Sequence, residues 1–233
     1  SMRALPLVNG RKRLGAVILT RDVSEVHRHE QELMTKDATI REIHHRVKNN
    51  LQTVSALLRL QSRRSSEEAV KVALAEAERR VQAIATVHAA LSQNVDESVD
   101  FDEVARTIVR MAGAIASTDH AVEVITTGSF GTIQADQAQA LATVLNELVA
   151  NSVEHGLADR DGLIEVRAER LGSSMTVTVA DNGVGFVPGT PMSGLGTQIV
   201  HQMVRGELKG SIEWAPREGG GTLVTLHANL DPA

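Results

Sequence analysis

Two adjacent histidines, His44 and His45, lie inside a run of helical periodicity, and three segments rich in glycine and oxygen ligands follow much later in the chain. An imidazole can act as a nucleophile or take up a proton. In NELVANSVEHG, residues 146–156, Glu147, Asn151 and His155 stand four apart, which places them on one helical face. A carboxylate and an amide oxygen on one stripe suit Mg²⁺, which takes few protein ligands and relies on phosphates and waters for the rest. In DNGVGF, residues 181–186, Asp181 ends an apolar run, and Gly183 and Gly185 let the backbone turn tightly and approach a ligand. A carboxylate there can accept a hydrogen bond from an exocyclic amine such as N6 of adenine. In SGLGTQIVHQMV, starting at Ser193, Gly194, Leu195 and Gly196 open a helix, where free N–H groups and the helix dipole favour a phosphate. Thr222 follows three glycines at the start of a last apolar run. Each segment alone also has an ordinary reading: an exposed polar stripe, an Asp-Asn-Gly turn, a glycine-rich helix entry.

These side chains need elements to hold them. Over residues 40–60, Ile40, Val47, Leu51, Val54, Leu57 and Leu58 fall within an arc of roughly 100° around Ile43. His44 sits at the edge of that arc, and His45 lies roughly 170° from its centre. The second imidazole is thus presented outward. Val26, Leu33, Ile40, Val47 and Val54 are seven apart. This seam predicts a coiled coil running into a helix bundle, as a parallel homodimer; a long helix lying on its own domain is the alternative. Ser65 and Glu68 have capping-box spacing for a second helix carrying Val70, Leu74, Ala77, Val81, Ile84 and Leu91. Together they predict a helical hairpin, and two copies a four-helix bundle. Residues 94–98 read as a polar linker. Beyond it, helices are predicted over 100–116, 136–155 and 195–208, and strands over 122–126, 163–170, 175–180, 211–214 and 222–228. The expected fold class is α+β: a helical-hairpin dimerisation domain followed by a two-layer α/β sandwich.

Composition narrows the function classes. The net charge of −5 argues against nonspecific nucleic-acid binding. The absence of cysteine excludes disulfides and thiolate metal sites and is compatible with the cytoplasm. No apolar run approaches the ~18 residues of a membrane span, and no secretory signal is visible. Near the N-terminus, apolar runs at 4–8 and 14–20 flank Asn9-Gly10, as in a β-hairpin. Ser1 reads as an expression scar and the chain as a piece of something longer.

In order and spacing, the three later segments resemble the N, G1 and G2 boxes of the GHKL ATPase superfamily, over about residues 100–230. The resemblance implies a Bergerat-type sandwich that binds ATP with Mg²⁺. It matches Asn151 to the magnesium-ligating asparagine and Glu147 to the N-box glutamate that orients water or assists the base. Asp181 matches the adenine-binding aspartate, Gly183 and Gly185 the G1 glycines. Gly194 and Gly196 match the lid-end glycines at the phosphates, with Leu195 between them. Thr222 matches the threonine whose hydroxyl reaches adenine, and His155 falls where many kinases place a Lys, Arg or His near the phosphates. EIHHRVKNNLQ, residues 42–52, resembles the phosphoacceptor box of the HisKA_2 and HWE-like sensor histidine kinases. There the histidine immediately before Arg is the acceptor, which maps to His45; His44 takes a local structural role. GAVILTRDVSE, residues 15–25, resembles the exit of a PAS domain. The implied division is a sensor remnant at 1–22, the dimerisation and phosphotransfer hairpin at 23–96, and the ATP-binding domain at 97–233.

The resemblance implies autophosphorylation on His45 by ATP, then transfer to an aspartate of a response-regulator receiver domain. A second resemblance, to soluble actinobacterial kinases of this subfamily, implies a receiver carrying an RNA-binding ANTAR output. The sequence departs from the larger kinase families in three ways. Arg46 replaces the acidic residue after the acceptor, leaving Glu147 or Glu42 to raise the basicity of His45. The lid from Gly185 to Gly194 is short. The N box ends in His155-Gly156. Three alternatives stay open: a GHKL clamp ATPase without phosphohistidine, a serine kinase of the anti-sigma type, and a scaffold pseudokinase.

Overall fold

The computed structural model describes residues 2–9, 12–20, 24–92, 98–113, 120–158, 160–186 and 194–231, without the side chains of 4, 7–9, 12–14, 19, 20 and 24–38. Linker residues 94–97, helix residues 114–116, and Ser193 with most of the lid lie outside the described residues. The chain divides into two compact units, Ser1–Ile40 and Arg41–Ala233. In the first, β1 (Met2–Asn9) and β2 (Lys12–Thr20) pair antiparallel, with Met2 opposite Thr20 and Asn9 opposite Lys12. Alternating apolar residues on either side of Asn9-Gly10 give this hairpin, although residues 10 and 11 themselves lie outside the described residues. Helix α1 (Ser24–Arg64) starts in this unit and ends in the next. The seam positions Val26 and Leu33 fall among the side chains that are not described.

In the second unit, α1 turns back into α2 (Glu68–Leu91). The predicted capping box does not form. Glu67 is the N-cap and makes no side-chain cap bond, while Ser65 Oγ accepts the Glu67 N–H at 3.2 Å in a local turn. The hydroxyl is satisfied before the helix begins, so it cannot also cap it. Four contacts fix the pairing of the helices: His44 with His88, Ser55 and Arg59 each with Glu78, and Ser62 with the Lys71 carbonyl.

The single apolar arc expected on α1 is split in two. Val47, Leu51 and Leu58 are half-buried in the hairpin, along with His44 and the buried Ser55. Ile43, Val54, Leu57 and Leu60 remain 42–56% exposed. The hairpin uses one flank of the stripe and leaves the other uncovered.

The His44 and His88 rings share a 3.0 Å Nδ1–Nδ1 hydrogen bond, one donating and the other accepting. Burial, and then the charge of a protonated His44, hold the His88 imidazole below its ordinary value. As pH falls through about 6.5, the unfolded chain therefore takes up more protons than the folded one, and stability falls with it. Thermal melts should show the hairpin losing stability below about pH 6.5. His88→Gln should flatten that slope; a slope equal to wild type would remove His88 as its source.

The remainder is an α/β sandwich. A five-stranded sheet has the order β4 (Val122–Gly128), β6 (Gly162–Leu171), β7 (Ser174–Asp181), β9 (Thr222–Asn229), β8 (Ser211–Pro216). Only the β4–β6 pair within it is parallel. Alternation sets its two faces: Ile164, Val166 and Ala168 of β6 and Met175, Val177 and Val179 of β7 point into the core, with charged or threonine side chains between them. Asp181 keeps the inward phase of β7, which carries a carboxylate into the interior at the strand end. On this face lie α3 (Phe101–Gly113), α4 (Ala135–Asn151) and α5 (Leu195–Gly206). From Gln137 to Ala150, α4 is buried at every position but Gln139, as a helix packed on several sides must be.

Two features were not expected. β3 (Ser98–Asp100) and β5 (Thr132–Gln134) form a separate small ladder, so α3 starts at Phe101 rather than residue 100. And α4 does not run to His155: it ends at Asn151 and opens into a π-helical turn, Ser152–Gly156, closed by the Leu157 N–H on the Ser152 carbonyl at 2.8 Å.

Candidate functional site

The C-terminal ends of β7 and α4 meet the start of α5 around a cleft of about 280 Å³. Nine of the sequence-predicted residues line it: Glu147, Asn151, His155, Asp181, Gly185, Gly194, Leu195, Gly196 and Thr222. Gly183 and His45 do not. A larger hollow of about 480 Å³, lined by α1, α2 and α3, contains none of the predicted residues. The smaller cleft is the one with the chemistry.

Asp181 is 2% exposed. Its Oδ1 accepts the backbone N–H groups of Gly183 at 2.9 Å and Thr222 at 3.2 Å. Those two bonds orient the carboxyl and leave Oδ2 as the acceptor for a ligand. Gly156 packs on the same group: a Cβ there would stand 2.9 Å from the carboxyl carbon. Gly183, although outside the lining, is a structural requirement, because a Cβ on it would overlap the Gly156 carbonyl. Gly185 adopts φ +71°. At the other end of the cleft, α5 begins at Gly194 with no side-chain cap, so its first N–H groups remain available to an anion.

Gly183→Ala and Gly194→Ala should therefore separate two roles. The first collides with backbone and should cost about 2–4 kcal/mol of stability. The second meets nothing within 4 Å among the described residues, and its φ of −164° suits any residue. It should melt within about 0.5 kcal/mol of wild type. Matching melting curves for the two variants would contradict this assignment.

The N-box residues come together, but not on one uninterrupted α-helical face. The π-helical turn lies between Asn151 and His155, and His155 is exposed at the cleft rim. Glu147 is buried and held by Arg80 of α2, Nε to Oε1 at 2.8 Å and Nη2 to Oε2 at 2.9 Å. Glu147, by this hydrogen bond above all, pushes the Arg80 guanidinium above its ordinary value. Arg79 pairs with Glu154 at 2.7 Å. Glu42 pairs with Arg46 at 2.8 Å. Both carboxylates proposed to assist His45 are thus engaged with arginines. His45 itself is exposed on α1, one residue from the His44–His88 contact.

Sequence reasoning missed Glu76, Arg79, Arg80 and Trp214, all of which line the cleft. Trp214 is the only tryptophan in the chain, and that scarcity was the available signal. The arginines gave none, because helical periodicity does not say which domain a charged face will meet.

The fold and the cleft are those of the class that the histidine kinase-, DNA gyrase B- and HSP90-like ATPases share. Residues 42–115 match the HisKA_2 model, described as histidine kinase, and residues 136–232 match the model described as histidine kinase-, DNA gyrase B- and HSP90-like ATPase. The chain belongs to the HisKA_2 sensor histidine kinases. It is 47% identical to the sensor histidine kinase PdtaS of Mycolicibacterium smegmatis, over 98% of this chain and 47% of that protein. It is 46% identical to PdtaS of Mycobacterium tuberculosis, over 97% of this chain and 46% of that protein. The chain thus spans about half the length of these curated relatives. The histidine kinase domain of the blue-light-activated kinase EL346 from Erythrobacter litoralis has the same fold. Its TM-score is 0.60 at 23% identity, covering 86% of this chain and 96% of that one.

Proposed function

We propose that the chain is the transmitter part of a two-component sensor kinase, which phosphorylates its own His45 from ATP and passes the phosphoryl group to an aspartate of a response-regulator receiver domain. The observation that carries this reading is an exposed imidazole on the hairpin helix in the same chain as a cleft with a buried, pre-oriented aspartate at one end and an uncapped helix start at the other.

Asp181 Oδ2 accepts from N6 of adenine, and Thr222 stands beside it with its hydroxyl. Gly183 and Gly185 shape the base pocket. The phosphates lie at Gly194, Leu195 and Gly196, with His155 at the rim. Asn151 and the phosphates provide the hard oxygen ligands that Mg²⁺ prefers, and the ion supplies charge neutralisation when bound. The neutral imidazole of His45 attacks the γ-phosphorus in line. An N–P bond forms, the bond to the bridging oxygen breaks, and ADP leaves. Glu147 orients the attacking ring or accepts its proton. Catalysis of this kind rests on positioning and electrostatics.

We assign residues 1–22 to a PAS-like remnant, 23–96 to the phosphotransfer hairpin and 97–233 to the ATP-binding domain. The uncovered flank of the hairpin supports a homodimer, since covering Ile43, Val54, Leu57 and Leu60 contributes about 1 kcal/mol each. A site that consumes ATP belongs in the cytoplasm, and among the described residues no helix is long and apolar enough to cross a membrane. The receiver docks on the hairpin around His45, and an ANTAR output is the partner type we propose for it. The test is incubation with γ-labelled ATP and Mg²⁺: the label should be acid-labile and alkali-stable. An acid-stable label, or none, would overturn the proposal.

A further inference from the structure

One wall of the nucleotide cleft comes from the hairpin. Arg80 of α2 grips both oxygens of Glu147, and Arg79 takes Glu154. The first pair is well shielded, with side-chain exposures of 15% and 8%. Two parallel N⁺–H···O⁻ bonds in a shielded place are among the stronger polar contacts a protein makes. The pair stands at the phosphate end of the cleft: a Cβ on Gly196 would overlap Glu147 Oε2 and lie 3.4 Å from Arg80 Nη2.

This contact is at the wrong height for the reaction. His88 is level with His44, which precedes His45. Arg80 lies eight residues before His88 on α2, about 12 Å along the axis at 1.5 Å per residue. In-line attack needs the reacting atoms about 3–3.5 Å apart. A second copy does not remove the offset, because a two-fold axis along a parallel bundle keeps both His45 rings at one level. The contact also occupies both oxygens of Glu147, the carboxylate assigned to the attacking ring.

We propose that Arg80 and Arg79 are positioning residues that hold the nucleotide domain in a parked dock on α2, and that these two ion pairs must open before the phosphates reach His45. This rests on the kinase reading above. A triphosphate at α5 fills the space beside Gly196 against which the Arg80–Glu147 pair packs, so loading the cleft loosens the dock.

The test uses the full chain, reading the initial rate of His45 labelling across ATP concentrations. Arg80→Ala should raise the maximal rate about tenfold, the effect of losing one charge-assisted pair, with KM for ATP within about twofold. Arg79→Glu should also raise the rate, and adding Glu154→Arg should return it to wild type. A lower rate with a raised KM would make Arg80 a phosphate ligand and overturn the dock, as would an unchanged rate. A second readout does not depend on labelling. The chain has no cysteine, so Arg79→Cys with Glu154→Cys provides one addressable pair for a short bis-maleimide. Cross-linking should fall severalfold when a non-hydrolysable ATP analogue and Mg²⁺ are added; equal yields overturn the proposal. An unlabelled wild type would overturn the kinase reading alone, because the cross-linking result stands without it.

Discussion

Replacing His45 with alanine should abolish the acid-labile label, whereas replacing His44 should leave at least about a tenth of it. The two rings are neighbours in sequence but differ in surroundings. His45 is exposed, so its loss should move stability by less than about 0.5 kcal/mol. A complete loss of label is then a chemical effect. His44 is half-buried and bonded to His88. Its loss strands a partly buried ring nitrogen and loosens the hairpin near the acceptor, at a cost of about 1 kcal/mol. Initial rates with γ-labelled ATP, and melting curves for both variants, separate the two cases. A clamp ATPase predicts something else: ATP turnover indifferent to His45→Ala. Full labelling of His45→Ala on another histidine would end the assignment.

The second large effect is at Asp181. In Asp181→Asn, the retained oxygen can still accept the Gly183 and Thr222 N–H groups, so the loops stay in place. On the proposed reading, the new amide would point N–H groups where adenine N6 also presents donors. Two buried donors then face each other with no acceptor between them, a loss of about 2–3 kcal/mol. ATP affinity should fall by about 30–150-fold at nearly unchanged melting temperature. Preference for ATP over GTP should weaken as well, since O6 of guanine is an acceptor. Calorimetric titration with both nucleotides reads all of this. Wild-type affinity in the variant would remove the carboxylate from base recognition.

Much of the sandwich was legible because its strands alternate strictly. Ile164, Val166 and Ala168, and the matching series on β7, announce a half-buried sheet, and the structure shows Asp181 in the inward phase of that series. Nine residues singled out from the helical stripe, the strand ends and the glycine-rich turns line one cleft. The errors share a cause: local pattern carries no information about what lies opposite. Ser65 had the spacing of a cap, but its hydroxyl found a nearer donor at Glu67. The arc on α1 was counted properly, yet only packing could divide it between α2 and an uncovered flank. Three-residue strands such as β3 and β5 are too short for alternation to register. Arg79 and Arg80 gave no signal, because their partners lie 75 and 67 residues further along the chain.

The wide turn that follows α4 has a bearing on how the Asp181 carboxyl is seated. Its i to i+5 closure admits one extra residue per loop of backbone, and that shift of pitch delivers Gly156 to the floor under the Asp181 carboxyl, where even a methyl group would crowd it. An ordinary α-helical ending would rotate a different residue into that spot and crowd the carboxyl. On the reading proposed above, base selection would thus depend on helical winding as well as on the aspartate itself.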